Sequence, residues 1–193
     1  MKVGVVGGPC SGKSTLVRSL MNELGIRGLN TGCVTVDYDE EWPRRHIRET
    51  GPPVCEFEQY LVQAKIIEKE RYLKETGCDI LLCDSTVFIP YIYGVYYPGS
   101  HGEKKRIKVL QELHAQAFES KDSYDLILFA MPVPPRKDGV RFNVEDAQII
   151  ARAIRGFLDC EHVAYITLEG SPEKRLKKAL HAIENCYNNL KGR

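Results

Sequence analysis

The chain has 193 residues, 43% of them hydrophobic and 27% charged, the composition of an ordinary folded domain long enough to bury a sizeable core. Its formal charge of +1, from 27 basic and 26 acidic side chains, gives no global pull toward nucleic acid or an anionic membrane, though it allows a local basic patch. No apolar run approaches the ~20 residues of a membrane span, the amino-terminal run reads as a strand rather than a secretory signal, and seven cysteines without a C-x-x-C pair fit reduced thiols in a cytoplasmic protein.

Val3 to Val6 is a short continuous apolar run, as a buried parallel strand shows. It runs directly into Gly7, Gly8, Pro9, Cys10, Ser11, Gly12, Lys13, Ser14 and Thr15. Gly7, Gly12, Lys13 and Ser14 fill every fixed position of G-x-x-x-x-G-K-[ST], a match that accident would supply in about one chain in a hundred of this length. A phosphate is cradled by successive backbone N–H groups, so the chain must pass close to the ligand through dihedrals that glycine adopts freely. Gly7, Gly8 and Gly12 meet that need, and the helix that follows offers its positive end to an anion. Lys13 is expected to reach the β- and γ-phosphates, Ser14 to ligate Mg²⁺ and Thr15 to add a hydroxyl at the α-phosphate. Cys10 reads as a tolerated small residue.

Apolar residues at Leu16, Val17, Leu20, Met21 and Leu24 predict a helix over Ser14 to Leu24, ended by Gly25 and Gly28. Cys33 to Val36 reads as a second strand, followed by the charged segment DYDEEWPRRHIRETGPP. Catalytic groups of open α/β sheets collect at the carboxyl ends of strands, so Asp37 is placed where an acceptor would sit. The spacing then predicts a helix from Glu56 to Lys74 and a strand from Asp79 to Asp84. A carboxylate at a strand end beside a phosphate loop can hold Mg²⁺, which is the role expected of Asp84.

Ser85 to Gly102 is rich in tyrosine, proline and glycine. Tyr91, Tyr93, Tyr96 and Tyr97, with Phe88 and Trp42, either stack on a planar acceptor ring or pack the core. A helix over Glu103 to Phe118 starts with Lys104, Lys105 and Arg106, cations that oppose its dipole and are either solvated or matched to an anion. Tyr124 to Ala130 reads as a further strand. The loop after it, about 131–142, carries three prolines and crowds Arg136, Lys137 and Arg141 near Gly139, as a lid closing over a transferring phosphate would need. An ordinary solvated loop is the competing reading. Asn143 as N-cap opens a helix to Leu158, Val163 to Leu168 is the last strand, and Ser171 with Pro172 starts a closing helix to about Leu190.

Strand-like runs that alternate with helices predict an α/β fold: a single doubly wound parallel-sheet P-loop domain over residues 1–193. The spaced combination of GGPCSGKST, an acidic and arginine-rich segment after strand two, LLCDST at 81–86, YDLILF at 124–129, DGVR at 138–141 and a final GSPEKR resembles the nicotinamide riboside kinase domain of the bifunctional NAD-biosynthesis regulators and the related ATPase/kinase family. The resemblance implies the strand order 2-3-1-4-5, ATP and Mg²⁺ at Lys13 and Ser14, Asp84 near metal and acceptor, Arg141 in the phosphate-closing loop, and the segment Gly170 to Arg175 near the adenine. Members of the family carry an E-x-x-R element after strand two, which Glu41-Trp42-Pro43-Arg44 matches at its ends, while Asp37 comes directly off the strand where related nucleoside kinases place their base. Either carboxylate fits a general base.

The expected activity is therefore ATP- and Mg²⁺-dependent transfer of a γ-phosphoryl group to a hydroxyl of a small nucleoside- or nucleotide-like acceptor. Asp37 or Glu41 would orient that hydroxyl, Lys13, Arg136 and Arg141 would hold the transferring charge, and Trp42, Arg44, Arg45 and Tyr93 would contact the acceptor. Two alternatives stay open: a kinase acting on a hydroxyl of nucleic acid, with Arg44, Arg45, Arg48 and Lys104 to Arg106 tracking the backbone, and a nucleotide-dependent switch with a protein partner.

Overall fold

Residues 1–35, 55–97, 99, 102–133 and 144–192 are described by the structure, a computed structural model. Strands β1 (Lys2–Val6), β2 (Thr31–Thr35), β3 (Ile80–Asp84), β4 (Leu126–Ala130) and β5 (Ile166–Leu168) form one all-parallel sheet in the order β2-β3-β1-β4-β5. That is the order the family resemblance implied. The described helices are α1 (Lys13–Ile26), α2 (Glu56–Glu75), α3 (Ile89–Tyr96), α4 (Glu103–Ser120), α5 (Val144–Cys160) and α6 (Pro172–Lys191), with a 3₁₀ turn at Lys121–Ser123.

The strands read as unbroken apolar runs because both faces of the sheet are covered. Successive side chains point to opposite faces. Val3 and Val5, Ile80 and Leu82, and Leu128 pack with Leu16, Leu20 and Leu24 of α1 and Ala179, Leu180 and Ile183 of α6. Val6, Leu81 and Cys83, and Ile127 and Phe129 pack with Val62 and Ile66 of α2, Ile92 of α3, Ala117 of α4 and Ile150 and Ile154 of α5. Each fully buried side chain of this size contributes about 1.5–3 kcal/mol, so the two layers hold the central strands rigidly at the edge where the phosphate loop begins.

A polar cluster ties α2 to the sheet. The Glu70 carboxylate lies 2.5 Å from the Lys2 ammonium and accepts from the Tyr124 hydroxyl at 2.6 Å, while that hydroxyl oxygen accepts from the Val87 N–H at 2.9 Å. Burial and the neighbouring Glu70 push the Tyr124 phenol well above its ordinary pKa, so it stays a donor.

Helix α3 is the main departure from the elements expected of the sequence, which showed only proline, glycine and tyrosine there. Pro90 sits in the first turn, where a missing N–H costs nothing. Gly94 lies inside the helix because a Cβ there would meet Leu113 of α4 at 3.2 Å and the Glu56 backbone at 3.3 Å, so α3 can wedge between its neighbours. Strand β5 is shorter than expected, since His162 turns with φ 54° and the Val163 N–H is spent on Leu158 O at 2.9 Å. Gly156 gives a clean check of the helix assignment, because it is exposed inside α5 and a Cβ there would meet nothing within 4 Å. Gly156→Ala is expected to stabilise the protein by about 0.5–1 kcal/mol through reduced backbone entropy of the unfolded chain, read as a small upward shift of the thermal midpoint.

Candidate phosphate-binding site

The segment from Gly7 to Gly12 leaves the carboxyl end of β1 and feeds α1, and its three glycines answer three separate constraints. Gly12 adopts φ 78°, ψ 16°, the left-handed region, and is the N-cap of α1 without any side-chain cap. A Cβ at Gly7 would stand 2.4 Å from the Ala130 carbonyl oxygen at the end of β4 and 2.8 Å from Ser11 Oγ. A Cβ at Gly8 would stand 2.7 Å from the Ala147 carbonyl oxygen of α5, so this glycine is required by packing against a helix rather than by its dihedrals, as the sequence had suggested.

The first regular helical bond of α1 runs from Leu16 N–H to Gly12 O at 2.9 Å, and its N-cap, Gly12, brings no side-chain cap. Gly12, Ser14 and Thr15 are exposed and the first turn holds no acid. A helix start without a side-chain cap, a positive dipole end and open access suit this position to an anion. The Lys13 ammonium arches back over the loop and donates to Gly7 O at 2.8 Å and Gly8 O at 3.0 Å.

Asp84 closes β3 beside it. The register pairs Asp84 with Val5 of β1 and Thr35 of β2, so its carboxylate stands one strand over from the root of the phosphate loop. Its charge is felt locally: burial first, and Asp84 second, push the Cys33 thiol up to about 11, against an opposing effect of Lys69. The next residue, Ser85, has φ 101° and donates its N–H to Val5 O at 3.1 Å. Cys10 in the phosphate loop has φ 59°. Left-handed backbone at non-glycine residues costs about 1–3 kcal/mol each and concentrates at functional sites, and here two such residues follow the carboxyl ends of the neighbouring strands β1 and β3.

The Ser14 hydroxyl and the Asp84 carboxylate are hard oxygen donors of the kind that Mg²⁺ prefers, and they fit an ion held by few protein ligands together with phosphate oxygens. Among the described residues no group of three or more His, Cys, Asp or Glu is arranged to hold a metal by itself.

The described aromatic residues of the stretch all pack with the core on the α2 face of the sheet. Phe88 is fully buried and stacks on Phe157 at 5.5 Å, and Tyr91 packs against His114 at 5.0 Å and Phe157 at 6.0 Å, so both serve the core. Tyr93 is half-buried near the phosphate loop, its phenol raised by burial and, secondarily, by Cys10. Tyr96 donates to Asp146 Oδ1 at 2.8 Å in the first turn of α5, edge-on to Tyr97 at 4.6 Å. Lys104 and Lys105 are exposed, whereas Arg106 donates to Val95 O at 3.2 Å and thereby ties α4 to the end of α3. Asp37, Glu41, Trp42, Arg44, Arg45, Arg48, Arg136 and Arg141 lie outside the described residues.

Arg175, at the end of the segment expected near an adenine, turns toward the phosphate loop. Only 7% exposed, it donates from Nε to Gly170 O at 2.9 Å and from Nη1 to Ser11 O at 2.9 Å and Met131 O at 2.8 Å. The sequence marked it only as the end of GSPEKR; a cation in the first turn of a helix, where the dipole disfavours it, was the available signal.

A five-stranded parallel sheet in this order, with a glycine-rich phosphate loop between its central strand and the first helix, defines the P-loop class of α/β proteins. A profile of the AAA domain family matches residues 2–175, and the chain belongs to that family. Solved structures with the same fold include the NadR protein in complex with NAD and AMP-PNP, at TM-score 0.67 and 16% identity over 97% of this chain and 49% of that one. They also include deoxyadenosine kinase from M. mycoides with bound dCTP, at TM-score 0.63 and 12% identity over 96% of this chain and 100% of that one. The chain thus spans about half the length of NadR and the whole of the deoxyadenosine kinase. The resemblance drawn from the sequence holds at the level of family and fold. No curated protein matches the chain in sequence. Among the described residues no helix is long and apolar enough to cross a membrane.

Proposed function

We propose that the chain is an ATP- and Mg²⁺-dependent phosphotransferase that moves the γ-phosphoryl group to a hydroxyl of a small nucleoside- or nucleotide-like acceptor. The observation that carries this reading is the exposed, uncapped start of α1 with Lys13 beside it and the Asp84 carboxylate one strand away. NadR is described with AMP-PNP and, in another structure, with NR, and the deoxyadenosine kinase with dATP and dCTP; nucleoside phosphorylation by this chain is the reading they favour.

In this scheme the triphosphate rests on the backbone from Gly7 to Thr15, including Pro9, Cys10 and Ser11. Lys13 neutralises charge on the β- and γ-phosphates, joined by Arg136 and Arg141 of the loop at about 131–142. Ser14 and Asp84 would hold Mg²⁺, which supplies charge neutralisation to the polyphosphate. Asp37, or Glu41, accepts the proton of the attacking hydroxyl as the bond from the β-phosphate bridging oxygen to the γ-phosphorus breaks and ADP leaves. Trp42, Arg44, Arg45 and Tyr93 contact the acceptor. The protein's contribution is positioning and electrostatics, since the phosphoryl group needs little covalent help.

A screen of nucleosides, nucleotides and oligonucleotides for transfer from γ-labelled ATP tests this directly. Transfer to a nucleoside or nucleotide is expected. Transfer to oligonucleotides alone would move the acceptor to nucleic acid, and acceptor-independent hydrolysis alone would leave a nucleotide switch. Asp37→Asn is expected to lower turnover by about 10²-fold or more with ATP affinity retained; a loss seen only with Glu41→Gln would assign the base to Glu41.

A further inference from the structure

The Ser11–Gly12 peptide is the point at which the phosphate loop turns into α1, and one buried side chain from the far end of the sequence holds it. Arg175 lies in the first turn of α6, a position where the helix dipole opposes its charge. Burial also works against it, lowering the guanidinium pKa, with Glu169 opposing that shift through space. Among the described residues its donors meet carbonyl oxygens only: Gly170 O after β5, Met131 O after β4 and Ser11 O in the phosphate loop. A cation placed at such a cost could have been replaced by an apolar side chain if packing were its whole task.

The geometry of the peptide shows what the placement achieves. In a trans peptide the carbonyl and the following N–H point in opposite directions. With Ser11 O drawn inward to Arg175, the Gly12 N–H is turned outward, toward the exposed mouth formed by Gly12, Ser14 and Thr15. The left-handed Gly12 then carries the chain into α1. The neighbouring Cys10 carbonyl is likewise engaged, by the Val133 N–H at 3.3 Å, so two consecutive loop carbonyls are held by segments outside the loop.

We infer that Arg175 is a positioning residue of the phosphate cradle: its fork fixes the Ser11 carbonyl inward so that the Gly12 N–H faces the polyphosphate. The inference rests on the phosphate-binding reading above and names the device that preorganises that site. A guanidinium suits the task because its planar fork spans carbonyls of three separate segments, which the compact ammonium of lysine cannot do.

Gly12 is the only glycine in the chain preceded by serine. Protein labelled with ¹³C-carbonyl serine and ¹⁵N-glycine therefore gives a single carbonyl-filtered amide signal, that of Gly12. In the wild type, saturating tripolyphosphate should move this amide proton downfield. In Arg175→Gln the shift should be lost and the dissociation constant should rise about 10-fold or more, and Arg175→Lys should recover neither, because it restores the charge without the fork. Binding within twofold of wild type by Arg175→Gln, or full recovery by Arg175→Lys, overturns the inference. Should both variants fail to fold, the wild type still decides: a Gly12 amide that stays put at saturation rules the inference out. A wild type that binds neither tripolyphosphate nor ATP removes the phosphate reading itself, whereas binding without Gly12 involvement removes only the role of Arg175.

Discussion

Lys13→Ala is expected to leave a folded protein that has lost phosphoryl transfer. The ammonium sits partly exposed over the loop, on Gly7 O at 2.8 Å and Gly8 O at 3.0 Å. Removing partly exposed hydrogen bonds costs about 0.5–1.5 kcal/mol each, so the thermal midpoint should move by several degrees. Under the proposed function the effect on chemistry is larger, because Lys13 would neutralise oxygens whose negative charge develops during transfer. Loss of one preorganised donor of this kind costs about 10²–10³-fold in kcat, and here the donor is also the only side-chain cation in the phosphate loop. Lys13→Arg should rescue poorly, since a planar fork does not fit where a compact ammonium sits over two carbonyls. Turnover of Lys13→Ala within tenfold of wild type, measured with the best acceptor from the screen, would sink the assignment of this loop to the transferring phosphate.

What could be read in the sequence was what local spacing encodes. The phosphate loop needs fixed residue types within eight positions, and Asp84 announces itself as an acid directly after an apolar run, so both were visible before any contact was known. Strand β3 was placed within a residue of its observed start for the same reason: a continuous apolar run flanked by polar residues has few other readings. The strand order came from resemblance alone, because periodicity says which runs are strands and nothing about which are neighbours.

Contacts between distant segments were illegible. Arg175 reaches Ser11 across 164 positions, and no local pattern links the two. Gly8 looked like a residue chosen for its dihedrals; it is needed because the Ala147 carbonyl of α5 packs against it, a contact that exists only once α5 is laid against β1 and β4. Helix α3 was hidden because Pro90 and Gly94 lower its intrinsic propensity, and burial of Ile89 and Ile92 against three other helices overrides that deficit. That Phe88, Tyr91 and Tyr93 of that segment all serve the core was visible only in their packing.

Gly7→Ala should separate triphosphate binding from stability in the opposite manner to a core mutation. The added methyl would meet the Ala130 carbonyl oxygen at 2.4 Å and Ser11 Oγ at 2.8 Å, closer than any real Cβ contact, so something has to move. Ala130 belongs to β4, which is paired on both sides, with β1 through Phe129 and with β5 through Ala130 itself. Moving it would break ladder bonds in two strand pairs, whereas the phosphate loop is anchored at its ends and by a few bonds along its course. The loop therefore yields. Overpacking of this kind costs about 1–3 kcal/mol, leaving a folded protein with its sheet intact. The loop peptides shift, however, and with them the carbonyls at Gly7 and Gly8 that hold the Lys13 ammonium and the amides that follow them. ATP affinity is expected to fall by about 10²-fold or more, since the bonds to phosphate are charge-assisted and depend on alignment. Gly12→Ala is the matched comparison: it meets no atom within 4 Å, so its whole penalty is the left-handed dihedral, about 1–2 kcal/mol. Calorimetric titration with ATP beside urea unfolding of both variants would resolve the two effects. A Gly7→Ala protein that binds ATP as well as wild type would mean that the loop tolerates the displacement, and that phosphate is held by something other than its backbone.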